Sequence, residues 1–301
     1  MPRSHDRQNF FKYTSPDAAI AILENSSFKW SSPKIFNDPF DHQAGFELAM
    51  NKDDFMREFV SSSLKVIMDS ESSLACIGTL KSVYASCRDG IANDGLSLEK
   101  LTQFVTHLAE EVYGNLQKDV HDRWNQKIIE MLCETHVFCV AESKCEIVMW
   151  SHYADEHKGV VFELNCIDEI DNNLLAATKV KYKKNCVPFP DAEKYAKHLT
   201  GENIINMVDL VWELATTKFE AWGYENEWRV RISTILDSEK KDFVYIPEDV
   251  KVFGAMYLGC RMDPEVRAKL LDLARKKFPD MKIYDVKKNY FSFNLNFEEV
   301  K

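Results

Sequence analysis

The sequence lacks the closely paired cysteines of a compact zinc site or a redox motif. Its eight cysteines are scattered, and no Cys-x-x-Cys pair occurs. Cys133, Cys139 and Cys145 are evenly spaced, but structural zinc prefers tightly paired ligands, so we expect small buried residues and no metal site. The first residues, MPRSHDRQNFFKY, contain no apolar signal-peptide core. We therefore expect reduced thiols in a cytoplasmic protein.

The sequence also has no long apolar run and no excess of positive charge. No stretch approaches the roughly 20 apolar residues needed to cross a bilayer, so we expect no membrane partner. The 38 Lys and Arg residues are outnumbered by 48 Asp and Glu residues, which gives a net charge of −10. This balance disfavours general nucleic-acid binding, because neutralising phosphates requires a basic face, although a local basic groove is compatible with it.

Familiar catalytic motifs are absent as well. The sequence has no P-loop, no Gly-x-Gly-x-x-Gly, no Gly-x-Ser-x-Gly and no His-Glu-x-x-His, and no internal repeat stands out. Its 301 residues are 45% hydrophobic and 29% charged. This composition is typical of a soluble globular protein with a sizeable core. Function must therefore be sought in residues dispersed along the chain.

Local patterns predict a strand–helix–strand unit at the start of the chain. Residues 10–13 (FFKY) predict a strand, and 28–32 (FKWSS) predict another. Between them, Ser15 is a helix N-cap, Pro16 suits the first helical position and Asp17 suits the positive helix end, so the helix is expected to run to about Asn25. Two prolines predict a loop over 33–41. Apolar spacing then predicts helices over 53–69 and 97–133.

The second half is rich in short strands. Strands are predicted at 136–141, 160–165 and 178–183, and in the segments EWRVRIST, DFVYIP, AMYLGC and KIYDV. A short helix or turn over 148–159 is expected to end at Gly159, and helices are predicted over about 201–221 and in PEVRAKLLDLARKKF. We therefore predict an α+β fold with a mixed, mostly antiparallel sheet. Residues 1–301 would form a single domain, with 45–135 as a helical insert or subdomain.

Three polar clusters lie on this framework, far apart in the sequence. The first cluster contains Lys12, Tyr13, Thr14, Trp30, Ser31, Ser32, Asn37 and Asp38. The second contains Trp150, His152, Tyr153 and Asp155, and the third contains Lys218, Trp222, Glu225, Glu227 and Arg229. Binding sites are commonly assembled from the strand ends and loops of one sheet, so these clusters are the candidate site.

The third cluster contains two glutamates two residues apart. Side chains alternate along a strand, so Glu225, Glu227, Arg229 and Arg231 are predicted on one face, with the intervening apolar residues facing the core. The charged row would then face solvent or a cleft. Two interpretations are open: a salt-bridged surface row of little energetic value, or a carboxylate pair that binds a sugar hydroxyl or stabilises a developing cation in glycosyl transfer.

Three segments together resemble the bacterial domain-of-unknown-function family 2971. They are FKYTSPDAAIAILENSSFKWSSPKIFNDPFD, MWSHYADEHKGVVFEL and KFEAWGYENEWRV. The family pattern has a Tyr-x-Tyr-Thr-like start, a Phe-Asn-Asp-Pro-Phe-Glu loop, a Trp-x-x-Tyr-Ala-x-x-His-x-Gly turn and a Trp-x-Tyr-Glu-x-Glu-x-Arg strand. Phe11 replaces the first Tyr and Asp41 the Glu of the loop. The resemblance spans about residues 10–260 and implies no particular activity.

The opening strand–helix–strand unit also resembles the NAD-binding element of ADP-ribosyltransferases. In those enzymes a first-strand residue, often His, holds the adenosine ribose, and a late-strand glutamate stabilises the oxocarbenium ion. The resemblance implies an ADP-ribosyltransferase-like fold with NAD as substrate and Glu227, or Glu225, as the late-strand glutamate. Lys12 stands where that His is expected, and lysine cannot reproduce the donor and acceptor roles of imidazole.

The same resemblance implies roles for further residues. The implied NAD-binding residues are Lys12, Tyr13, Thr14, Ser32, Asn37, Asp38, Trp150 and Arg229. Trp150 and Tyr153 would be the ring-stacking candidates, and Tyr153 would join the two glutamates in the catalytic set. The acceptor would be a protein, a nucleic acid or water. The expected role is that of a bacterial toxin or anti-phage defence effector, with a homo-oligomer or a defence-system protein as a possible partner.

Two other functions stay open at this point. A metal-dependent nuclease would gather Asp38, Asp41 and the Glu225/Glu227 pair around a divalent cation, since oxygen ligands suit Mg²⁺. A non-catalytic module would use the same residues to grip a nucleotide or a peptide. A transferase needs NAD and no metal, a nuclease is abolished by a chelator, and only the binding module keeps its cellular role after Glu227→Gln.

Overall fold

The computed structural model describes residues 3–42, 45–69, 71, 74–93, 95–120, 124–233 and 241–300. Its contacts divide the chain into two compact units. The sheet unit combines residues 1–43, 131–184 and 216–301, and the helical unit combines 44–130 and 185–215. The helical unit therefore includes a second segment, 185–215, that the predicted insert at 45–135 does not contain.

The described strands and helices follow one another in this order. The strands are β1 (Asn9–Thr14), β2 (Ser27–Ser31), β3 (Thr135–Ala141), β4 (Val160–Asn165), β5 (Thr178–Lys179), β6 (Lys181–Lys183), β7 (Thr217–Phe219), β8 (Glu227–Ser233), β9 (Phe243–Pro247), β10 (Phe253–Leu258), β11 (Lys282–Lys288) and β12 (Leu295–Glu299). The helices are α1 (Pro16–Asn25), α2 (Lys52–Met68), α3 (Leu80–Asn93), α4 (Leu98–Asp119), α5 (Asn125–Cys133), α6 (Ile147–Tyr153), α7 (Ala192–Thr200), α8 (Met207–Ala215) and α9 (Pro264–Lys277).

The main sheet has the strand order β12-β11-β10-β4-β1-β3-β2-β9, and β8 pairs with both β3 and β5. β10 and β11 are parallel, as are β6 and β7 in a separate two-stranded sheet. The other pairings between described strands are antiparallel. The predicted α+β fold with a mixed, mostly antiparallel sheet is confirmed.

Strand β1 lies inside the sheet, between β4 and β3, and both of its faces are buried. Its side chains alternate, so Phe10 packs into one core with residues of α1 and α9 such as Leu23 and Leu270. Phe11 and Tyr13 pack into a second core on the opposite face, with Trp150 of α6. This second core supports the floor of the candidate site described below.

Local signals at the start of the chain predict its structure well. Ser15 accepts a hydrogen bond from the Ala18 N–H, Pro16 opens α1, and Ser26 ends it in a left-handed conformation with φ of 51°. The predicted loop over 33–41 contains one short 3₁₀ turn, Pro33–Ile35. In the helical unit, the aromatic rings of Phe55 and Phe59 stack with their centroids 5.4 Å apart.

Several predicted elements differ from the observed ones. The helix predicted over about 201–221 is shorter, and the chain instead forms α8, β7 and a 3₁₀ segment, Glu220–Glu225. β7 pairs with β6, which places Lys218 beside Tyr182, so a tertiary pairing overrides helix propensity there. The strand predicted over 178–183 is split between β5 and β6, and α3, α7 and β12 were not predicted.

Two of the predicted helices and strands extend beyond the described residues. Within the helix predicted over 97–133, residues 121–123 lie outside the described part, which shows α4 before them and α5 after them. Thr234, the last residue of the predicted strand EWRVRIST, also lies outside it. Within the described residues, no helix is both long enough and apolar enough to cross a membrane.

Candidate functional site

A cavity of about 260 Å³ lies in the sheet unit and draws residues from all three polar clusters. Its polar lining is Lys12, Tyr13, Lys29, Ser31, Asn37, Asp41, Cys139, Tyr153, Lys218, Glu225 and Glu227. Its apolar lining includes Phe11, Ile35, Phe36, Val137, Ala141 and Met149. The fold therefore assembles one site from segments separated by more than two hundred residues.

Strand register explains how the distant segments meet. β8 pairs with β3 so that Glu227 lies opposite Ala141, and β3 pairs with β1 so that Ala141 lies opposite Phe11. α6 begins soon after β3 and ends at Tyr153. The late glutamates, the first strand and the helix after β3 thus border the same space.

The two glutamates reach the cavity by a different route from the predicted one. Glu225 is the last residue of a 3₁₀ segment, Asn226 is left-handed with φ of 43°, and β8 begins only at Glu227. The prediction that both glutamates lie on one face of a regular strand is therefore wrong. The turn at Asn226 nevertheless brings both carboxylates to the same cavity.

Three members of the charged row, Glu225, Glu227 and Arg229, are buried, and both glutamates line the cavity, so the row meets a cleft and not solvent, one of the two predicted alternatives. Glu225, Glu227 and Arg229 are only 3%, 6% and 0% exposed. The surface salt-bridge interpretation is therefore wrong. Burial is possible because Asp41 from the loop after β2 and Lys218 from β7 supply charges that the strand lacks.

Arg229 joins Glu227 to the Asp41 loop through a planar fork of hydrogen bonds. Its Nε donates to Glu227 Oε1 at 2.7 Å, and its Nη2 donates to Glu227 Oε2 at 3.0 Å. Its Nη1 and Nη2 donate to Asp41 Oδ1 at 2.8 Å and Oδ2 at 2.7 Å. Bidentate guanidinium–carboxylate pairs combine energy with fixed geometry, so Glu227 is held in one orientation.

Lys218 is the second cation of the network. Its Nζ donates to Glu225 Oε2 at 2.6 Å and to Glu227 Oε2 at 3.2 Å, and it lies 3.6 Å from Asp41 Oδ2. The ammonium also lies 4.9 Å from the centroid of the Trp222 ring. Lys218 therefore bridges the two glutamates, as Arg229 bridges Glu227 and Asp41.

The two glutamates have opposite protonation behaviour. Burial and the nearby Glu227 carboxylate raise the pKa of Glu225 to about 7. Burial acts in the same direction on Glu227, but Arg229 and Lys218 outweigh it and hold its pKa well below the usual range. Burial is likewise outweighed at Asp41, where Arg229 and His42 lower the pKa to about 2. Glu225 is thus the carboxylate that takes up a proton first.

Two tyrosines fix the glutamates further. The Tyr153 hydroxyl donates to Glu225 Oε1 at 2.6 Å, and burial, reinforced by Glu225, raises the pKa of Tyr153, so that it stays a neutral donor. The Tyr182 hydroxyl accepts a hydrogen bond of 2.8 Å from the Glu227 backbone N–H. Glu225 therefore has hydrogen bonds on both oxygens, from Tyr153 and from Lys218.

Lys12 lies on the β1 side of the cavity. Its Nζ donates to the Cys139 carbonyl oxygen at 2.8 Å and lies 4.8 Å from the Phe138 ring centroid. Burial lowers the pKa of Lys12. Lys29 also lines the cavity, with its Nζ 4.3 Å from the centroid of Phe243. These two lysines are the cations of the lining that stand outside the Glu225–Glu227–Asp41 network.

Six of the predicted site residues line the cavity: Glu225, Glu227, Tyr153, Lys12, Tyr13 and Asn37. Thr14, Ser32, Asp38, Trp150 and Arg229 are not part of its lining. Ser32 Oγ donates to the Cys133 carbonyl oxygen at 3.2 Å and caps the 3₁₀ turn, and an Asp38 carboxylate oxygen accepts from the Phe40 N–H at 2.9 Å. These contacts hold the loop after β2 in place.

Trp150 is placed differently from the prediction. The residue is fully buried, and its indole Nε1 donates to the Lys144 carbonyl oxygen at 2.8 Å. One face of its ring stacks near His157, with centroids 6.1 Å apart, and Tyr13 meets it edge-on at 5.7 Å. This packing exposes no ring face to a ligand, so the predicted nicotinamide stacking by Trp150 is wrong.

Some residues of the site were not in the predicted set. The sequence predicts a role for Asp41 only as a metal ligand of the nuclease alternative, although its position in the family-like loop is a usable signal. Tyr182 and His42 had no recognisable signal. His42 Nδ1 lies 2.9 Å from Asp41 Oδ1 and 3.1 Å from Arg229 Nη1, and burial together with Arg229 lowers its pKa to about 4. His42 is therefore a neutral part of the buried network.

The arrangement does not favour a metal centre. In the described part of the chain, no group of three or more His, Cys, Asp or Glu side chains could hold a metal ion. Asp41, Glu225 and Glu227 converge on Lys218 and Arg229 instead of on an open position. Of the three evenly spaced cysteines, Cys145 is exposed and the other two are half-buried, which corrects the expectation of buried residues.

Part of the chain that forms this site matches the model of a known protein family. Residues 149–230 match the model of the family described as "Protein of unknown function (DUF2971)". The chain carries a DUF2971 segment. This match confirms the family resemblance over residues 149–230, which is part of the span of about 10–260 predicted from the sequence. The DUF2971 segment runs from α6 into β8 and contains Tyr153, Lys218, Glu225, Glu227 and Arg229. No curated protein and no solved structure matches the chain.

Proposed function

We propose that the chain is an NAD-consuming ADP-ribosyltransferase-like enzyme whose cavity binds the nicotinamide–ribose end of NAD. One observation carries this proposal: two buried carboxylates with opposite protonation behaviour, Glu225 and Glu227, line one cavity together with Tyr153. The proposed ADP-ribosyltransferase-like fold is supported by the β1–α1–β2 unit and by the late strand β8, which border the same cavity.

Glycosyl transfer from NAD needs a fixed negative charge near the anomeric carbon. When the bond between nicotinamide and ribose breaks, its electron pair leaves with neutral nicotinamide and positive charge develops on the ribose. Glu227 stays ionised because Arg229 and Lys218 surround it, and a preorganised anion in a water-poor site stabilises such a cation strongly. Glu227 is therefore assigned the electrostatic role.

The acceptor completes the reaction. A lone pair of the acceptor forms the new bond to the anomeric carbon, and the acceptor's proton must pass to a base. Glu225 is the suitable base, because a pKa of about 7 lets it exchange a proton near neutral pH. Tyr153 orients it through the 2.6 Å hydrogen bond. The proposed acceptor is a protein, a nucleic acid or water.

The cavity volume limits how NAD can bind. About 260 Å³ lies just below the roughly 300–1,000 Å³ typical of ligand pockets. The cavity therefore suits one ring with its ribose, and the rest of NAD would extend from it. Lys12 and Lys29 line the cavity and are the cations proposed to meet the pyrophosphate.

The test is release of nicotinamide from NAD by the purified full chain, with EDTA present and cell lysate as a source of acceptors. Glu227→Gln is expected to lower the release rate on the order of a hundredfold, as loss of one preorganised electrostatic group does. Glu220→Gln is the matched control, because Glu220 is exposed and lies in the adjoining 3₁₀ segment. Its release rate should equal that of the wild type.

A second variant keeps the test valid if Glu227→Gln does not fold. Tyr153→Phe removes only the hydroxyl that donates to Glu225, so it should lower stability by about 1–3 kcal/mol, leave the protein folded and still lower nicotinamide release. Wild-type protein that releases no nicotinamide with any acceptor would contradict the proposal. A folded Glu227→Gln protein with the wild-type rate would contradict it as well.

A binding module is the second candidate, and one observation favours it. Glu227, Asp41 and Arg229 satisfy one another so fully that the network is also suited to holding a rigid binding cavity. This alternative predicts that ADP-ribose or NAD raises the melting temperature of the protein without any release of nicotinamide. EDTA sensitivity of any activity would instead favour the nuclease.

A further inference from the structure

The hairpin that joins β11 to β12 carries three strongly exposed aromatic side chains. Tyr290, Phe291 and Phe293 are 87%, 100% and 97% exposed. The turn itself is well formed, because the Asn289 N–H donates to the Asn294 carbonyl oxygen at 3.0 Å. Exposed apolar groups that cluster in this way mark interaction sites on soluble proteins.

The charge of this hairpin differs from that of the whole chain. Lys287 and Lys288 are separated from Tyr290 only by Asn289, and both lysines are exposed. Residues 286–297, VKKNYFSFNLNF, contain no Asp or Glu, whereas the chain has a net charge of −10. The tip, residues 287–294, therefore combines three aromatic rings with two positively charged lysines and has no negatively charged side chain.

We propose that this tip docks on an anionic lipid surface, with its aromatic rings in the interface and its lysines against the headgroups. Aromatic rings favour the water–lipid boundary, and each lysine near an anionic surface adds attraction. The inference is independent of the proposed function. It departs from the sequence-based expectation of no membrane partner, because peripheral docking requires no spanning segment.

The geometry of the hairpin favours a lipid surface over a nucleic acid. Lys287 and Lys288 are adjacent in β11, where they pair with Asn296 and Leu295, so their side chains point to opposite faces of the hairpin. Headgroups surround an inserted hairpin on all sides and can meet both lysines. A single nucleic-acid strand follows one groove and would meet only one face.

A second copy of the chain is also a poor fit for this surface. β12 lies at an end of the main strand order and pairs with β11, so self-association of the hairpin would bring two β12 strands together. Glu298 and Glu299 are exposed on that strand. Like charges facing each other across a pair of strands are destabilising, and charged edges of this kind oppose sheet extension.

The first experiment measures sedimentation of the full chain with phosphatidylcholine vesicles, alone or with roughly one third phosphatidylserine. The wild type is expected to sediment with the anionic vesicles and to dissociate at about 1 M salt, where the Debye length falls to about 3 Å. Phe291→Ser/Phe293→Ser should weaken binding on the order of a hundredfold. Tyr245→Ser removes a 60% exposed aromatic from β9 and should bind like the wild type.

A second pair of variants tests the charge. Lys287→Gln/Lys288→Gln is expected to weaken binding to anionic vesicles about thirtyfold, because each lysine contributes a factor of roughly five to six. Lys276→Gln/Lys282→Gln changes the net charge equally at exposed positions outside the tip and should leave binding unchanged. All these side chains are exposed, so thermal unfolding of the variants should match that of the wild type.

Insertion itself is measured with Phe291→Trp. On anionic vesicles the added tryptophan should emit at shorter wavelength and be quenched by brominated lipid, relative to the wild type. Failure of the wild type to sediment with anionic vesicles would overturn the proposal. So would capture of a single-stranded oligonucleotide that depends on Phe291 and Phe293, or a solution dimer that the double serine variant dissociates.

Discussion

Replacing Lys218 with methionine tests whether the charges around the cavity are balanced as the structure indicates. The network contains three carboxylates, Asp41, Glu225 and Glu227, and two cations, Lys218 and Arg229. Three negative and two positive charges sum to −1 when all are ionised. The sum is zero when Glu225 holds a proton, which its pKa of about 7 allows below that pH.

Methionine keeps much of the length of the lysine stem but removes the charge. Without the ammonium, Glu225 loses its 2.6 Å contact and Glu227 its 3.2 Å contact, and the network carries one more unbalanced negative charge. Removing one partner of a buried ion pair costs about 3–5 kcal/mol. We expect the cost to be near the lower value at about pH 6, where Glu225 can hold a proton, and near the higher value at about pH 8.

The assay is urea denaturation followed by tryptophan fluorescence, with the free energy of unfolding compared at both pH values. Lys197→Met is the matched control, because Lys197 forms a 2.5 Å pair with Glu193 that is exposed at both ends. An exposed pair contributes only about 0–1 kcal/mol, so this variant should be nearly as stable as the wild type.

A double variant measures the interaction between Glu225 and Lys218 apart from the rest of the network. Glu225→Gln/Lys218→Met removes both partners, so its loss of stability should be smaller than the sum of the two single losses by about 1–3 kcal/mol. A loss below about 1 kcal/mol for Lys218→Met, or equal losses at both pH values, would refute the charge balance inferred from the structure.

Two further predictions concern Glu225 and Gly259. The folded protein keeps a proton on Glu225 up to about pH 7, whereas the unfolded chain releases it near pH 4.5, so the free energy of unfolding should fall by up to about 3 kcal/mol as pH rises between these values. In urea denaturation, Glu225→Gln should flatten this dependence of stability on pH. An unchanged slope would contradict the raised pKa of Glu225. Gly259→Ala places a Cβ 2.2 Å from the His157 carbonyl oxygen and should lower stability in thermal unfolding by about 1–3 kcal/mol. Gly114→Ala is the control, because its Cβ meets open space, and it should raise stability by up to about 1 kcal/mol. Equal effects of the two variants would contradict the close packing at Gly259.

Elements whose causes are local could be predicted from the sequence. The bounds of β1, α1 and β2 follow from alternation, an N-cap and a proline within a few residues, and prediction and structure agree there closely. β7 could not be predicted in this way, because Thr217–Phe219 becomes a strand only through pairing with Lys181–Lys183, which lies outside the local window. Strand propensity depends on the neighbouring strand, whereas a helix cap does not.

Burial of the charged row was the main feature that the sequence could not provide. Alternating Glu and Arg residues beside apolar ones are typical of a half-exposed strand, and that pattern is present in β8. The row is buried because Asp41 and Lys218 approach it from a loop and from another strand. Neither approach leaves a periodic signal, so the sequence leaves open whether these residues face solvent or a cleft, and only the fold shows the buried network.

The different roles of the two glutamates depend on contacts and not on spacing. Glu227 is anchored by Arg229 and Lys218, so its replacement disturbs the whole network, and loss of activity in Glu227→Gln would fit either a catalytic or a structural role. Tyr153 contacts the network through its hydrogen bond to Glu225, so changing it alters the proton-accepting group while leaving the ion pairs of Lys218 and Arg229 in place. A lowered rate in a Tyr153→Phe protein that stays folded at the assay temperature therefore argues for chemistry in this cavity more directly than any substitution of Glu227 does.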